Sequence, residues 1–307
     1  MGSPEFAVPS LRALARIHQV VGVISQPDRP AGRGRALTPP AVKVAALGLG
    51  LTVFQPARLR DPDATEKLAA WAPDLIVVAA FGQILRQPVL DLPSFGCLNV
   101  HASLLPRWRG ASPVQAALRA GDSTTGITIM RMDAGMDTGP ILARAPLPVE
   151  DSDTGGTLAA RLAPLGASLL IDTLPAYLEG SLSPTVQDES LATLAPLLRK
   201  DDGRLNFTLD AAGLERQIRA FDPWPGTFLE WQGRRVGILR ARAVRAPLLP
   251  VGGLGEVAGF PAVGTSEGAL VLEVLRPSGR RAIPGDAFLR GAPAFATGQL
   301  SPPGDPG

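Results

Sequence analysis

The sequence predicts an α/β protein: a doubly wound, mostly parallel, Rossmann-like sheet followed by a small C-terminal β-barrel. Three observations carry the prediction. Helical and strand-like patterns alternate through the first 180 residues. The strands among them are near-continuous apolar runs, such as Asp74–Ala80, which suit a parallel sheet covered on both faces. From Lys200 onward the pattern changes to short strands separated by glycines, which suits a small antiparallel barrel.

Taken in order, Met1 to Phe6 opens on a turn, Ala7 to Gln19 has helical spacing, and Val20 to Ser25 reads as a strand. A doubly wound fold places a strand before its first helix, and here that strand is missing. Because the first strand of such sheets lies in the middle, its absence would leave unpaired backbone groups on two neighbouring strands in the core. From Gln26 to Lys43, Arg29, Arg33 and Arg35 sit among prolines and glycines, a composition too broken for a helix or a central strand. A mobile basic loop is expected there, either merely solvated or able to pair with phosphates.

Asp61 to Trp71 reads as an amphipathic helix with acidic residues in its first turn, and Phe81 to Leu85 as the loop after the Asp74–Ala80 strand. Cys97 to Val100 is a short buried strand. A helix follows from Ser112, with Ser112 as N-cap and Pro113 in its first turn. Strands are predicted at Ile127–Met132 and Ile141–Val149, and one or two helices between Asp151 and Gly180. The resulting division is a first domain over 1–180, a linker over 181–198, a second domain over 199–301 and a disordered tail over 302–307.

Chemistry concentrates between Gly96 and Gly139. Residues two apart on a strand point to the same side, so Asn99 and His101 project together at the end of a strand, where open α/β sheets build their sites. The second strand ends in a glycine-punctuated loop carrying Asp133 and Asp137. An amide, an imidazole and a carboxylate suit acyl transfer to an amine. His101 can move the amine's proton, Asp137 can fix the histidine's tautomer, and Asn99 can donate to the oxyanion of a tetrahedral intermediate.

The string Asn99-Val100-His101-Ala102-Ser103-Leu104-Leu105-Pro106, followed by Gly126–Gly139, resembles the signature of the folate-dependent formyltransferases. It is most similar to the branch that formylates initiator methionyl-tRNA. The resemblance implies 10-formyltetrahydrofolate as formyl donor, Asn99, His101 and Asp137 as the catalytic set, and folate contacts from Ser103, Leu104, Leu105 and Pro106. Phe81, Gly82, Ile84 and Leu85 resemble the pterin-pocket loop, and Asp133 belongs with them. It further implies that Arg29, Arg33 and Arg35 engage the acceptor arm of the tRNA, and that the C-terminal domain is OB-like and meets the same tRNA through Lys200, Arg234 and Arg235. Relatives carry an apolar strand before the N-terminal turn and often a methionine at the position of Met1, so an internal methionine taken as the start is the expected reason for the missing strand. The intact mass of protein from the native locus tests that expectation.

Composition narrows the alternatives. The 307 residues are 45% hydrophobic and carry a formal charge of +2, with a pI near 9.1 weighted toward arginine, compatible with a local RNA-binding surface. One cysteine excludes an internal disulfide, and two histidines with one cysteine leave no zinc-type cluster, so no metal is expected. Without a secretory leader pattern or an apolar run of about eighteen residues, a cytoplasmic protein with no membrane partner is expected, as a monomer. Two other functions stay open: formyl transfer to a small amine, which would need the same trio but no basic loop, and a tRNA-binding remnant without activity.

Overall fold

The computed structural model describes residues 1–31, 36–245 and 249–300. Arg33, Arg35 and the tail from 302 lie outside them. Two compact units are present: the described residues of Met1–Pro113, Ser123–Val149 and Thr157–Pro196 form one, and Val114–Asp122, Glu150–Gly156 and those from Leu197 onward form the other. Residues 185–195, a connector by composition, thus fold with the first unit, while the helix after the Asn99–His101 loop groups with the second.

In chain order the first unit begins with helix α1 (Val8–Ile17), strand β1 (Val23–Ile24), strands β2 (Arg29–Ala31) and β3 (Ala36–Thr38), helix α2 (Ala41–Gly48) and strand β4 (Val53–Phe54). Helix α3 (Pro62–Ala70), strand β5 (Ile76–Val78), helix α4 (Gln87–Leu90) and strands β6 (Cys97–His101) and β7 (Arg109–Gly110) follow. Helix α5 (Pro113–Ala120), nearly all of which groups with the second unit, strands β8 (Thr124–Arg131) and β9 (Ile141–Pro148), helix α6 (Gly155–Leu178) and strand β10 (Leu194–Ala195) follow. Among the described residues of Gln26–Lys43, short strands and the start of a helix are present. β2 and β3 pair as a hairpin, α2 starts at Ala41, and Lys43 pairs with Asp28 at 2.7 Å, which holds the Asp28 carboxyl below its ordinary range.

β1 and β4 pair in parallel, as do β5 and β6, whereas β8 runs antiparallel to β6 and to β9. In that register Leu98 faces Arg131 and His101 faces Thr128. The loop leaving β8 consequently starts at the Cys97 end of β6, where the Met132 amide donates to the Cys97 carbonyl at 2.8 Å. To bring Asp137 to His101 it has to double back along the strand.

Between β1 and β5 the first two residues bridge the sheet. Gly2 N donates to Ile24 O at 3.0 Å, Ala79 N donates to Met1 O at 2.9 Å, and the Met1 amino group donates to Val77 O at 2.6 Å. Beyond them lies a largely apolar cavity of about 500 Å³, lined by Leu11, Leu14, Val21, Val23, Ile76 and Leu174 among others. The cavity lies between β1 and β5, on the side of the sheet where α1 and α6 contribute Leu11, Leu14 and Leu174. Burial pushes the terminal ammonium down from 8.0 to about 6.

α6 is one helix of 24 residues that continues through Pro164 and Pro175. By length and composition it could cross a membrane. Leu158, Leu162, Leu170 and Leu174 are each at most 1% exposed, so it is a core helix here, its burial outweighing the cost of the prolines.

In the second unit, strands β11 (Thr227–Trp231), β12 (Arg234–Val244), β13 (Leu254–Val257), β14 (Phe260–Gly264), β15 (Ala269–Pro277) and β16 (Ile283–Pro284) form an antiparallel sheet in the order β11-β12-β15-β14-β13, with β16 on β15. Helices α7 (Ala211–Ala220) and α8 (Gly285–Gly291) belong to it, and Asp210 caps α7 through its bond from Gly213 N at 2.7 Å. Leu214, Ile218, Leu229, Ile238, Leu270, Leu272 and Phe288 fill the core.

Candidate active site

β6 delivers Asn99 and His101 to one side, and the doubled-back loop brings Asp137 against both. Asn99 Nδ2 donates to Asp137 Oδ1 at 3.1 Å, the Gly110 amide donates to Oδ2 at 2.8 Å, and Oδ2 stands 3.6 Å from His101 Nδ1. His101 is buried, while the Asp137 side chain keeps 16% exposure. Asp137 adopts φ +55°, a left-handed conformation that a reverse-running loop uses and that aspartate tolerates better than most residues. Asp133 closes the same loop, its Oδ1 accepting from Gly135 N at 3.0 Å and Thr138 Oγ1 at 2.7 Å.

The histidine tautomer is set differently from the expectation. Nε2 lies 2.9 Å from the Trp108 carbonyl. A carbonyl only accepts, so the neutral ring carries its proton on Nε2 and its lone pair on Nδ1, toward Asp137. Trp108, with φ +61°, thus orients the ring through its carbonyl, and Nδ1 faces the carboxylate. Asn99 spends one N–H on Asp137, and its second has no partner among the described residues.

The other predicted residues separate by exposure. Ser103 and Leu105 are fully buried: the serine hydroxyl donates to Arg107 O at 2.6 Å, and Leu105 packs with Met130 and Ile141. Phe81 and Leu85 are core residues too, whereas Ile84 is 85% exposed, Gly82 and Asp133 are exposed, and Leu104 and Pro106 are half-buried. Arg29 is exposed on β2 and donates to Gln26 Oε1 at 2.7 Å. Lys200 and Arg234 are exposed. Arg235 pairs with Asp201 at 3.4 Å and Glu230 at 3.7 Å and stacks on Phe228. Arg240 and Arg242 share Glu273. Cys97, beside Asn99, is buried among apolar residues that push its thiol up to about 12, which makes it a core residue and no nucleophile.

Two residues near the site went unnoticed in the sequence. Arg109 is 4% exposed and Gln187 5%, although one sits in an Arg-Trp-Arg turn and the other in a polar connector. Arg109 Nε and Nη2 donate to Gln187 Oε1 at 3.0 and 2.9 Å, and its guanidinium pairs with Glu189 at 2.7 Å. No local pattern marks either, because they are 78 positions apart and meet only in the fold.

An imidazole held between a carbonyl and a carboxylate, with an amide donor alongside, is an arrangement that can move a proton and stabilise an oxyanion at the end of an α/β strand. The chain belongs to the formyl transferase family: the family's N-terminal domain matches residues 2–174 and its C-terminal domain residues 197–293. Among similar proteins, the methionyl-tRNA formyltransferase of Chloroflexus aurantiacus is 46% identical over 300 residues, covering 96% of both chains. That of Myxococcus xanthus is 46% identical over 291 residues, 95% of this chain and 93% of its own. Among solved structures, WlaRD, a sugar 3N-formyl transferase crystallised with dTDP and 5-N-formyl-tetrahydrofolate, has a TM-score of 0.63 at 18% identity over 91% of this chain and 97% of its own. The methionyl-tRNA formyltransferase of Clostridium thermocellum has a TM-score of 0.50 at 21% identity over 63% and 82%.

Proposed function

We propose that this protein transfers the formyl group of 10-formyltetrahydrofolate to the α-amino group of methionine carried on initiator tRNA. The single observation that carries the proposal is the clustering of Asn99, His101 and Asp137 within one hydrogen-bonded group, in a chain whose relatives match over both domains and are named for that reaction. The alternative of a small amine substrate has less support, since relatives of that full length bear the methionyl-tRNA name.

An α-amino group has a pKa near about 8, so much of it is already neutral at cellular pH and needs little activation. Its nitrogen attacks the formyl carbon, Asn99 donates to the oxyanion, and the proton shed by the nitrogen passes to His101 Nδ1, beside the Asp137 carboxylate. As the intermediate collapses, the carbon–nitrogen bond to the folate breaks and the departing nitrogen takes the proton back. Oxyanion stabilisation and positioning supply several kcal/mol each in such sites.

Gly82, Ile84, Leu104 and Pro106 offer exposed or half-exposed apolar surface for the pterin, whereas Phe81, Leu85, Ser103 and Leu105 support that surface from within. Arg29, Lys200 and Arg234 are exposed and have no ion pair among the described residues, which suits contact with phosphate. This reading places the protein in the cytoplasm as a monomer, without metal or membrane. The test is incubation with labelled 10-formyltetrahydrofolate and, separately, charged initiator tRNA, charged elongator tRNA or free amines. Label on the initiator species supports the reading, and label on amines alone overturns it.

A further inference from the structure

We infer that Gln187 is a positioning residue for the reaction, acting through Asp137, and that residues 185–195 form a strap that sets the geometry of the doubled-back loop. The inference rests on the formyl-transfer reading of Asn99, His101 and Asp137. Gln187 Nε2 donates both its hydrogens to the loop, one to the Asp137 carbonyl at 2.8 Å and one to the Gly139 carbonyl at 2.7 Å. Its Oε1 accepts two from Arg109. All four hydrogen-bonding positions of the amide are thereby filled, at a site 5% exposed, and its orientation is fixed: reversed, it would set an oxygen against two carbonyls and an NH₂ against a guanidinium.

The arrangement grips Asp137 at both ends. Its carbonyl is held by Gln187, which is held by the Arg109 side chain, and its carboxylate is held by the backbone amide of the next residue, Gly110. Arg109 and Gly110 are in turn anchored to the strap. β7 pairs in parallel with β10, Arg109 N donates to Thr193 O at 2.9 Å, Trp108 N donates to Thr193 Oγ1 at 2.9 Å, and Ser112 N donates to Ala195 O at 3.2 Å. Thr185 exchanges two 2.8 Å bonds with Ile141, where the loop rejoins the sheet. An aspartate in a left-handed conformation, on a loop with exposed Ala134, Gly135 and Met136, owes its place to this clamp. A carboxylate displaced by about 1 Å from its working position costs on the order of 100-fold in rate.

Gln187→Glu is the discriminating variant. It keeps the shape and the acceptors for Arg109 but removes both donors to the loop. The measurements are kcat and KM for both substrates and Tm, in the wild type, Gln187→Glu, Asp137→Ala and the double variant; Gln187→Met is carried alongside in case the glutamate prevents folding. We expect kcat to fall about 10- to 100-fold with KM changed less than about threefold, and no further fall when the substitution is added to Asp137→Ala. A purely structural role would instead lower Tm and give additive losses, which would overturn the inference, as would wild-type kcat in the folded Gln187 variants. Should the wild type not formylate methionyl-tRNA at all, or Asp137→Ala turn over normally, it is the reading beneath that fails, a result distinct from either.

Discussion

The Trp108 carbonyl lies 2.9 Å from His101 Nε2 while Asp137 Oδ2 stands 3.6 Å from Nδ1, so one ring nitrogen is committed and the other is left to work. Nitrogen-15 NMR of the imidazole should therefore show the Nε2–H tautomer in the neutral enzyme. The Nδ1–H form would mean that the carboxylate, and not the carbonyl, orients the ring.

Removal of the groups around Nδ1 tests the division of labour. Asn99→Ala removes the proposed oxyanion donor and Asp137→Ala the carboxylate proposed to stand beside the incoming proton. Each should lower kcat by about two to four orders of magnitude with little change in KM, measured on charged initiator tRNA. Normal turnover in either variant removes that residue from the chemistry.

Gly110 has no room for a side chain. Its φ is +114°, and a β-carbon there would lie 2.6 Å from the Ala195 carbonyl. Gly110→Ala should part β7 from β10 and carry the amide away from Asp137. A stability loss of about 1–3 kcal/mol in urea unfolding and a fall in kcat of about 100-fold are expected together. A variant with wild-type kcat would show that this amide does not hold the carboxylate in place.

How much of this was visible beforehand depends on sequence distance. Asn99 and His101 share a five-residue strand, and alternation alone puts them on one side. The Asp137 loop was recognisable from its glycines and aspartates, but not its course: an antiparallel β8 leaves β6 at the wrong end, and only the register shows that the loop returns. Gln187 was invisible because a polar residue among Ser, Pro and Thr reads as solvated, and what buries it is a guanidinium from 78 residues away. Ser103 and Leu105, chosen for their place in a motif, are buried, which the motif could not show, since it records which residues occur together and not which way they point. Within Gln26–Lys43 the composition argued against a central strand, and the described strands β2 and β3 form a separate two-stranded pair outside the larger sheets.

In a chain that starts at Met1, the amino terminus makes stability depend on pH. The ammonium of Met1 has a pKa of about 6 in the folded protein against 8.0 when unfolded, burial being the main cause. Above about pH 8 the group is neutral in both states. As pH falls from 8 to 6 the unfolded chain takes up a proton that the folded one resists, so stability declines across that window, by up to about 2–3 kcal/mol, and levels off below 6. A variant with five β-branched apolar residues fused before Met1 replaces the ammonium with an amide and offers a segment that could enter the 500 Å³ cavity. Urea titrations at pH 6 and 8 should show the slope in the parent and its loss in the fusion, with Tm raised by more than about 5 °C. A fusion no more stable than the parent would mean that the cavity does not accept a strand.

Salt dependence separates the arginines that are free from those already occupied. Arg234 is exposed at the β11–β12 turn with no ion pair among the described residues, and Arg29 is exposed on its hairpin, bonded to a neutral glutamine. Arg235, one position on, is engaged by Asp201, Glu230 and the Phe228 ring. A phosphate would have to compete with these partners. Arg29→Ala and Arg234→Ala should each weaken tRNA binding and reduce the slope of log Kd against log salt by about one, the signature of one lost phosphate contact. Arg235→Ala should leave the slope near that of the parent and lower Tm instead, through the lost stacking and ion pairs. Fluorescence titration of labelled tRNA over a series of potassium chloride concentrations measures all three. If the slope falls for Arg235 and stays constant for the other two, the RNA lies along the face of the β11–β12 hairpin that bears Arg235, and the ion pairs seen there are exchanged for phosphate on binding.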